Sequence, residues 1–203
     1  MKSLTYLWLA LSLLTCISCH GVVKSKMEEH QIVPDVIDTA PAEELYVEYG
    51  KIELKLGNEI LPFDVKDEPK VQWNADANSY YTIAMVDPDA PTRTEPKFRE
   101  VLHWLVVNIK GTDIAGANHI AAYFGSGPPK GTGLHRYVFM LYKQPGQLNF
   151  DEPKSPKNSR ANRLNFNLRH FVEKYKLGEP LAGNFFQAQW DEYVDMRNKH
   201  VTN

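Results

Sequence analysis

The sequence predicts a single, mostly β domain with peripheral helices gathered near the C-terminus. Three observations carry this. Short apolar runs, several with period-2 alternation, fill the middle of the chain. Apolar positions take up sustained helical spacing only towards the end. A chain of 203 residues with 43% hydrophobic and 24% charged residues can bury a core that stands without cross-links. The formal net charge of −2 argues against a general nucleic-acid binder, which usually shows a strongly basic face, and gives no strong electrostatic pull toward an anionic membrane.

Taken in order, the chain opens with Lys2 and an uncharged, largely apolar run from Leu4 to Ile17, followed by Ser18, Cys19, His20 and Gly21. A basic start, a short apolar stretch and a small-residue end describe a signal peptide over residues 1–20. The run is shorter than the about 20 residues of a spanning helix. Cleavage between about Cys19 and Val23 removes both cysteines, Cys16 and Cys19, and leaves an exported domain without disulfide or thiol chemistry. Residues 21–32 read as a flexible lead-in and residues 33–203 as one domain.

Within that domain, Pro34 to Ala42 has room for one short helix. Tyr46, Val47 and Tyr49 precede Gly50, and Ile52 and Leu54 alternate with Lys51, Glu53 and Lys55, as in a half-buried strand. Val71 to Trp73, Tyr80 to Val86, Val101 to Ile109 and His135 to Tyr142 are further strands. The last two are apolar on both faces, as in strands covered on both sides. Asp151 to Ser159 reads as a polar surface loop. Leu164, Leu168, Phe171, Val172 and Tyr175 then fall at helical spacing and predict a helix from Ser159 that ends at Gly178. A second helix is expected over Gln189 to Lys199, with Trp190, Tyr193 and Val194 turned inward.

The residues that can carry chemistry sit at the ends of these strands. Asp87-Pro88-Asp89-Ala90-Pro91 places two carboxylates on a proline-stiffened turn. The alternative use of the same residues is an Asx turn. Alternation puts His103 on the face of Val101, Leu105 and Val107, as a ligand group or as a core histidine. His135 shares a face with Tyr137 and Phe139. Between the two histidines lies Gly125 to Gly133, rich in glycine and containing Pro128 and Pro129. It is either an anion-binding nest or a plain connecting loop. It lacks P-loop spacing, Ser126 is not in a nucleophile elbow, and no metal-binding spacing occurs. No metal and no cofactor are therefore expected.

These residues add up to a resemblance. Asp87 to Pro91 with Arg99-Glu100, His103-Trp104 and Val107 to Gly111 resembles the first signature block of the phosphatidylethanolamine-binding protein family, which includes the Raf kinase inhibitor proteins. Gly127-Pro128-Pro129 with Thr132 to Phe139 resembles the second, and the likeness runs from about Val33 to Val194. It implies a β-sandwich of a large and a small antiparallel sheet. It also implies one small pocket for phosphate, acetate, cacodylate or a phosphoethanolamine head group. Its lining would be Asp87, Asp89, Pro91, His103, Gly125, Gly127, His135 and Tyr137. The rim departs from the family pattern at Phe98, where a tyrosine is often found, at Val101, which replaces a tryptophan, and at Asn198, which occupies an aromatic position.

With the signal peptide, the resemblance implies a secreted, non-enzymatic, monomeric protein. It would bind phospholipid head groups such as phosphatidylethanolamine, or other small anions, with no nucleic-acid partner and no stable membrane span. The alternative is an inhibitor that engages a protein partner, a serine protease or a kinase. A hydrolase using Asp87 with His103 or His135 ranks third, for want of an activated nucleophile. In a head-group pocket a histidine would donate to phosphate, most strongly when protonated below its ordinary pKa of about 6.5.

Overall fold

In the computed structural model, which describes residues 21–202, alternation along the long strands sorts their apolar side chains onto the two faces of one large sheet. The signal peptide expected over residues 1–20, with both cysteines, lies outside the described residues. The elements in order are α1 (21–29), a single helical turn α2 (Ile32–Asp35), β1 (Glu43–Glu44), β2 (Tyr46–Tyr49), β3 (Ile52–Glu53), a 3-10 turn (Pro62–Val65), β4 (Lys70–Gln72), β5 (Tyr80–Asp87), β6 (Val101–Lys110), β7 (Asn118–Ala121), β8 (His135–Lys143), α3 (Leu168–Lys174), β9 (Ala182–Ala188) and α4 (Glu192–Asn198). The large sheet has the order β1-β9-β8-β5-β6-β7 and the small one β3-β2-β4. All pairings are antiparallel except that of β1 with β9.

On β5, Ile83 and Met85 join a core shared with Val47, Leu54 and Val71 of the small-sheet side. Ala84 and Val86 join a second core with Val23 and Met27 of α1 and Leu168 and Phe171 of α3. The molecule is therefore layered: small sheet, large sheet, helices. That covers both faces of the central strands and explains why they are apolar throughout. The expected β-sandwich of a large and a small sheet is the observed fold.

Four segments differ from the reading of the sequence. The lead-in is packed structure: Val23 and Met27, one helical turn apart, and then Ile32 are buried in the core, so residues 21–29 are helical rather than flexible. The helix expected from Ser159 begins only at Leu168. Asn162 and Asn165 have φ of +59° and +58°, which no helix accommodates, and Asn167 caps the true start by accepting the His170 N–H at 2.8 Å. Leu164 consequently lies outside the helix and is 47% exposed. At the far end Lys176, with φ +52°, takes the left-handed position before Gly178 is reached.

The expected surface loop at Asp151 to Ser159 is anchored inward, with Ser155 and Ser159 buried. Its anchor is Arg163, which is 1% exposed. Its five N–H donors meet the carbonyls of Ser159, Leu102, His103, Ala122 and Pro156 at 2.7–3.2 Å. Burial lowers its guanidinium to about 10, so it stays charged at neutral pH. Finally, β9 lies beside β8 although Gly183 and Asn184 break its strand pattern. A side chain at Gly183 would meet the Met140 sulfur at 2.9 Å, and Asn184 spends its amide on the backbone of Leu56 and Leu45.

The edges of the large sheet are closed. At one edge β1 is only two exposed glutamates long, and the rest of β9 is paired by Gly57, Asn58 and Ile60. At the other, Ser155 exchanges backbone hydrogen bonds with Ile120 and Ala122 beside β7.

Glu100 sits where β6 meets α3. It is 4% exposed and accepts the Leu168 N–H at 3.0 Å. Burial, outweighing that hydrogen bond, pushes its carboxyl up to about 7 from 4.5. A carboxyl raised on folding binds its proton more tightly in the native state. Its contribution to stability is therefore fully present below pH 4.5 and is lost as pH rises to about 7. Glu100→Gln is expected to flatten this part of the stability profile and to gain on the order of 2–3 kcal/mol at pH 8 relative to pH 4.5. Urea unfolding of both proteins at the two pH values checks it; parallel profiles would contradict it.

Candidate functional site

Antiparallel pairing brings the chemistry to one end of the large sheet. β5 runs opposite to both neighbours, β6 and β8, so its carboxyl end lies against their amino ends. Asp87 pairs with Val101, and His135 opens β8 alongside. These strand ends, the loop before β8 and the C-terminal α4 enclose a cavity of about 280 Å³. Asp87, Pro91, His103, Gly127, His135 and Tyr137 line it, whereas Asp89 and Gly125 do not. Phe98, Val101 and Asn198, the divergent rim positions, line it too. Phe98 and Leu164 form an exposed apolar lip.

His103 reaches the cavity through a β-bulge. Met85 pairs with Trp104 but Val86 with Leu102, so His103 is the extra residue. Leu105 and Val107 point into the helix-side core, while His103 turns to the rings of Tyr137 and Phe124. The common face expected from strict alternation is therefore not formed. Nδ1 of His103 lies 2.6 Å from the Phe124 carbonyl, which requires the proton to be on Nδ1. Burial, reinforced by the positive charges of Arg163, Arg197 and His135, lowers this ring to about 3. His103 is thus neutral near pH 7, and its Nε2 is an acceptor rather than a donor to phosphate.

His135 is the opposite case. Its Nδ1 lies 2.8 Å from Asp87 Oδ2. Burial disfavours its charge, but the hydrogen bond and charge of Asp87, with Asp89 and the Pro91 carbonyl, carry it above the ordinary histidine value. Burial lifts Asp87 as well, so one proton is held tightly between the two. The second nitrogen faces Thr132. Thr132 Oγ1 donates its only hydrogen to the Pro129 carbonyl at 2.8 Å and lies 3.0 Å from His135 Nε2. With that hydrogen on Pro129 the hydroxyl accepts from His135, an arrangement that matches the raised pKa of the ring and its Asp87 partner. His135 is an imidazolium balanced by the Asp87 carboxylate.

Asp89 is spent behind the site. It is fully buried and accepts from the Arg136 backbone N at 2.8 Å and from Nε and Nη2 at 2.9 and 2.6 Å. The remaining Arg136 donors reach Asp35 and the carbonyls of His30 and Gln31. The carboxylate expected in the lining instead joins β8 to the N-terminal segment. Its backbone N also donates to Asp87 Oδ1 at 2.7 Å, which steadies the His135 partner.

The glycine loop behaves differently from an anion nest. Arg197 Nη1 donates to the carbonyls of Gly125 and Ser126 at 2.6 and 2.9 Å, so the loop presents oxygens to a cation. A side chain at Gly127 would collide with that guanidinium, and one at Gly125 would meet the Val65 carbonyl at 2.8 Å. The Gly127 N–H donates to the Tyr137 hydroxyl at 3.2 Å.

Sequence reasoning missed Phe124, Arg160, Arg163 and Arg197, all of which line the cavity. The Arg163 and Arg197 guanidinium carbons lie 4.9 and 4.5 Å from the Phe124 ring centroid, and Arg160 donates to Asn198 at 3.0 Å. No local pattern marks these arginines; they come from late loops and α4. Among the described residues no three His, Cys, Asp or Glu side chains converge on a metal site.

Comparison with known proteins agrees with this architecture. Residues 41–186 match the family model described as phosphatidylethanolamine-binding protein. The chain is 42% identical over 173 residues to odorant-binding protein A5 of Drosophila melanogaster, covering 85% of this chain and 82% of that one. Among solved structures it is similar to the solution structure of CG7054, with 50% identity, a TM-score of 0.70 and coverage of 85% and 99%. It is also similar to a carboxypeptidase Y inhibitor solved with its cognate proteinase, with 27% identity, a TM-score of 0.74 and coverage of 85% and 97%.

Proposed function

The chain belongs to the phosphatidylethanolamine-binding protein family, and from that premise we propose that it is an exported, non-enzymatic binding protein whose cavity takes a phosphate-type head group such as phosphoethanolamine, or another small oxyanion. The observation that carries this reading is the charge of the enclosed lining. The His135 imidazolium is offset by Asp87, while Arg160, Arg163 and Arg197 leave the walls positive. A space of about 280 Å³ holds a head group, whereas acyl chains would lie across the apolar lip of Phe98 and Leu164. Binding rather than hydrolysis is favoured by Ser126, whose hydroxyl is buried without a hydrogen-bond partner, and so without a base to activate it. Export rests on the reading of residues 1–20. Among the described residues no helix is long and apolar enough to cross a membrane.

The test is calorimetry with phosphoethanolamine. His135→Ala is expected to weaken binding by about 1.5–3 kcal/mol, roughly ten- to a hundredfold, the value of one charge-assisted hydrogen bond. Wild-type affinity is expected to fall as pH rises through the elevated His135 pKa. Unchanged affinity in a folded His135→Ala protein would overturn the assignment.

A second reading, inhibition of a protease through the surface, draws on the similarity to the carboxypeptidase Y inhibitor. Phe63 and Met196 support it: they are 49% and 53% exposed and line one open cleft. Excess phosphate separates the readings, because it competes with a head group and leaves a surface partner in place.

A further inference from the structure

The hydrogens in the cavity restrict the ligand more narrowly than its charge does. Once the protein's own hydrogen bonds are assigned, two lining groups are left with unused capacity. His103 has its Nδ1–H committed to Phe124, and its Nε2 lone pair has no partner among the described residues. Tyr137 accepts from Gly127, so its own hydroxyl hydrogen is free to donate. A third group is occupied but exchangeable: the His135 Nε2 faces the hydroxyl of Thr132 at 3.0 Å. Thr132 sits on a loop between Gly131 and Gly133, which have φ of +80° and +77° and where an added Cβ would meet nothing within 4 Å. A ligand oxygen can replace that hydroxyl without disturbing the sheet.

The complement of this set is a ligand with acceptor oxygens for Tyr137 and His135 and one donor hydrogen for His103, carrying negative charge to suit Arg160, Arg163 and Arg197. A phosphate dianion has acceptors only, and would set an oxygen lone pair against that of His103. A phosphodiester, the linkage in a phospholipid, is anionic but has no P–OH. A phosphate monoester with one proton, ROPO₂(OH)⁻, supplies the donor and the acceptors from one tetrahedral group. We infer that the cavity selects singly protonated phosphate monoesters over dianions and diesters, with His103 as the residue that reads the proton. This rests on the head-group reading above and narrows it to the free monoester head group, at the expense of the lipid-linked diester whose acyl chains would lie across the lip.

The experiment is calorimetry of the protein with methyl phosphate and dimethyl phosphate from pH 5 to pH 8, with phosphoethanolamine as a third ligand. Methyl phosphate carries no ammonium, so it isolates the P–OH as donor. At pH 5 it is expected to bind at least about tenfold more tightly than dimethyl phosphate, the value of one hydrogen bond to a buried acceptor. Above the second phosphate pKa of about 6 this advantage should shrink by about tenfold per pH unit. The diester stays a monoanion throughout, so any loss it shows over the same range belongs to His135 and is subtracted. In His103→Phe, whose fold is checked by urea unfolding, the monoester advantage at pH 5 should vanish. Equal binding of the two esters at pH 5, or tighter binding of methyl phosphate as its dianion forms, overturns the inference while leaving an anion site intact. Binding of phosphoethanolamine but not methyl phosphate also overturns it, because the ammonium would then be the donor. No binding of any of the three overturns the head-group reading itself.

Discussion

Asp89→Ala is expected to destabilise the protein by about 3–5 kcal/mol, the cost of leaving a buried charge without its partner. Arg136 is fully buried, and its five N–H donors are all used: three oxygens of Asp89 and Asp35 and the two carbonyls of His30 and Gln31. Removing Asp89 deletes two of the charged contacts and strands the guanidinium beside the half-buried Asp35. Urea unfolding measures the loss, and Arg136→Lys should show a similar one, because an ammonium cannot span this fan of acceptors. Such a loss is a large part of the about 5–15 kcal/mol that holds a typical domain together. The same variants should loosen the cavity, since Asp89 also steadies Asp87. A loss below about 1 kcal/mol would show that water reaches the pair and screens it.

Arg163→Met is expected to cost about 4 kcal/mol or more. The methionine fills much of the volume but takes the guanidinium donors away from five buried carbonyls, of which that of His103 keeps the Phe124 N–H; each one left alone costs roughly 1–3 kcal/mol, with partial relaxation reducing the sum. Two of these carbonyls belong to Leu102 and His103, so the bulge that aims His103 should relax as well. Head-group binding should therefore fall together with the unfolding midpoint. A variant that keeps wild-type stability would mean that the 155–163 segment is held by other contacts.

Much of this molecule is legible in its sequence. The alternation of Ile83, Ala84, Met85 and Val86 gives β5 its two buried faces, and the pentapeptide after it marks the turn at the site. His103, His135, Tyr137 and Asp87 carry the resemblance and lie together. What the sequence does not display is decided by tertiary bookkeeping of hydrogen bonds. Arg136 and Arg163 look like surface residues, because an arginine is buried only where distant loops leave carbonyls or carboxylates to receive it. The bulge at His103 depends on how β5 registers against β6, and strict alternation therefore gives the wrong neighbours. β9 escapes because Gly183 and Asn184 are poor strand formers chosen by close packing and by backbone acceptors on other segments. The helical stripe from Leu164 fails for a related reason: Asn162 and Asn165 adopt left-handed conformations in order to turn Arg163 inward.

The closed margins of the large sheet bear on how the protein behaves when it is concentrated. An uncovered strand is a template on which another chain can extend the hydrogen-bond ladder, the first step of edge-to-edge aggregation. Here one margin ends in a two-residue acidic strand with irregular chain paired beyond it, and the other is occupied by Ser155. Neither leaves a long row of free backbone groups for a newcomer to pair with. Within that arrangement β5 and β8 stay two positions or more from any edge that a second copy could reach.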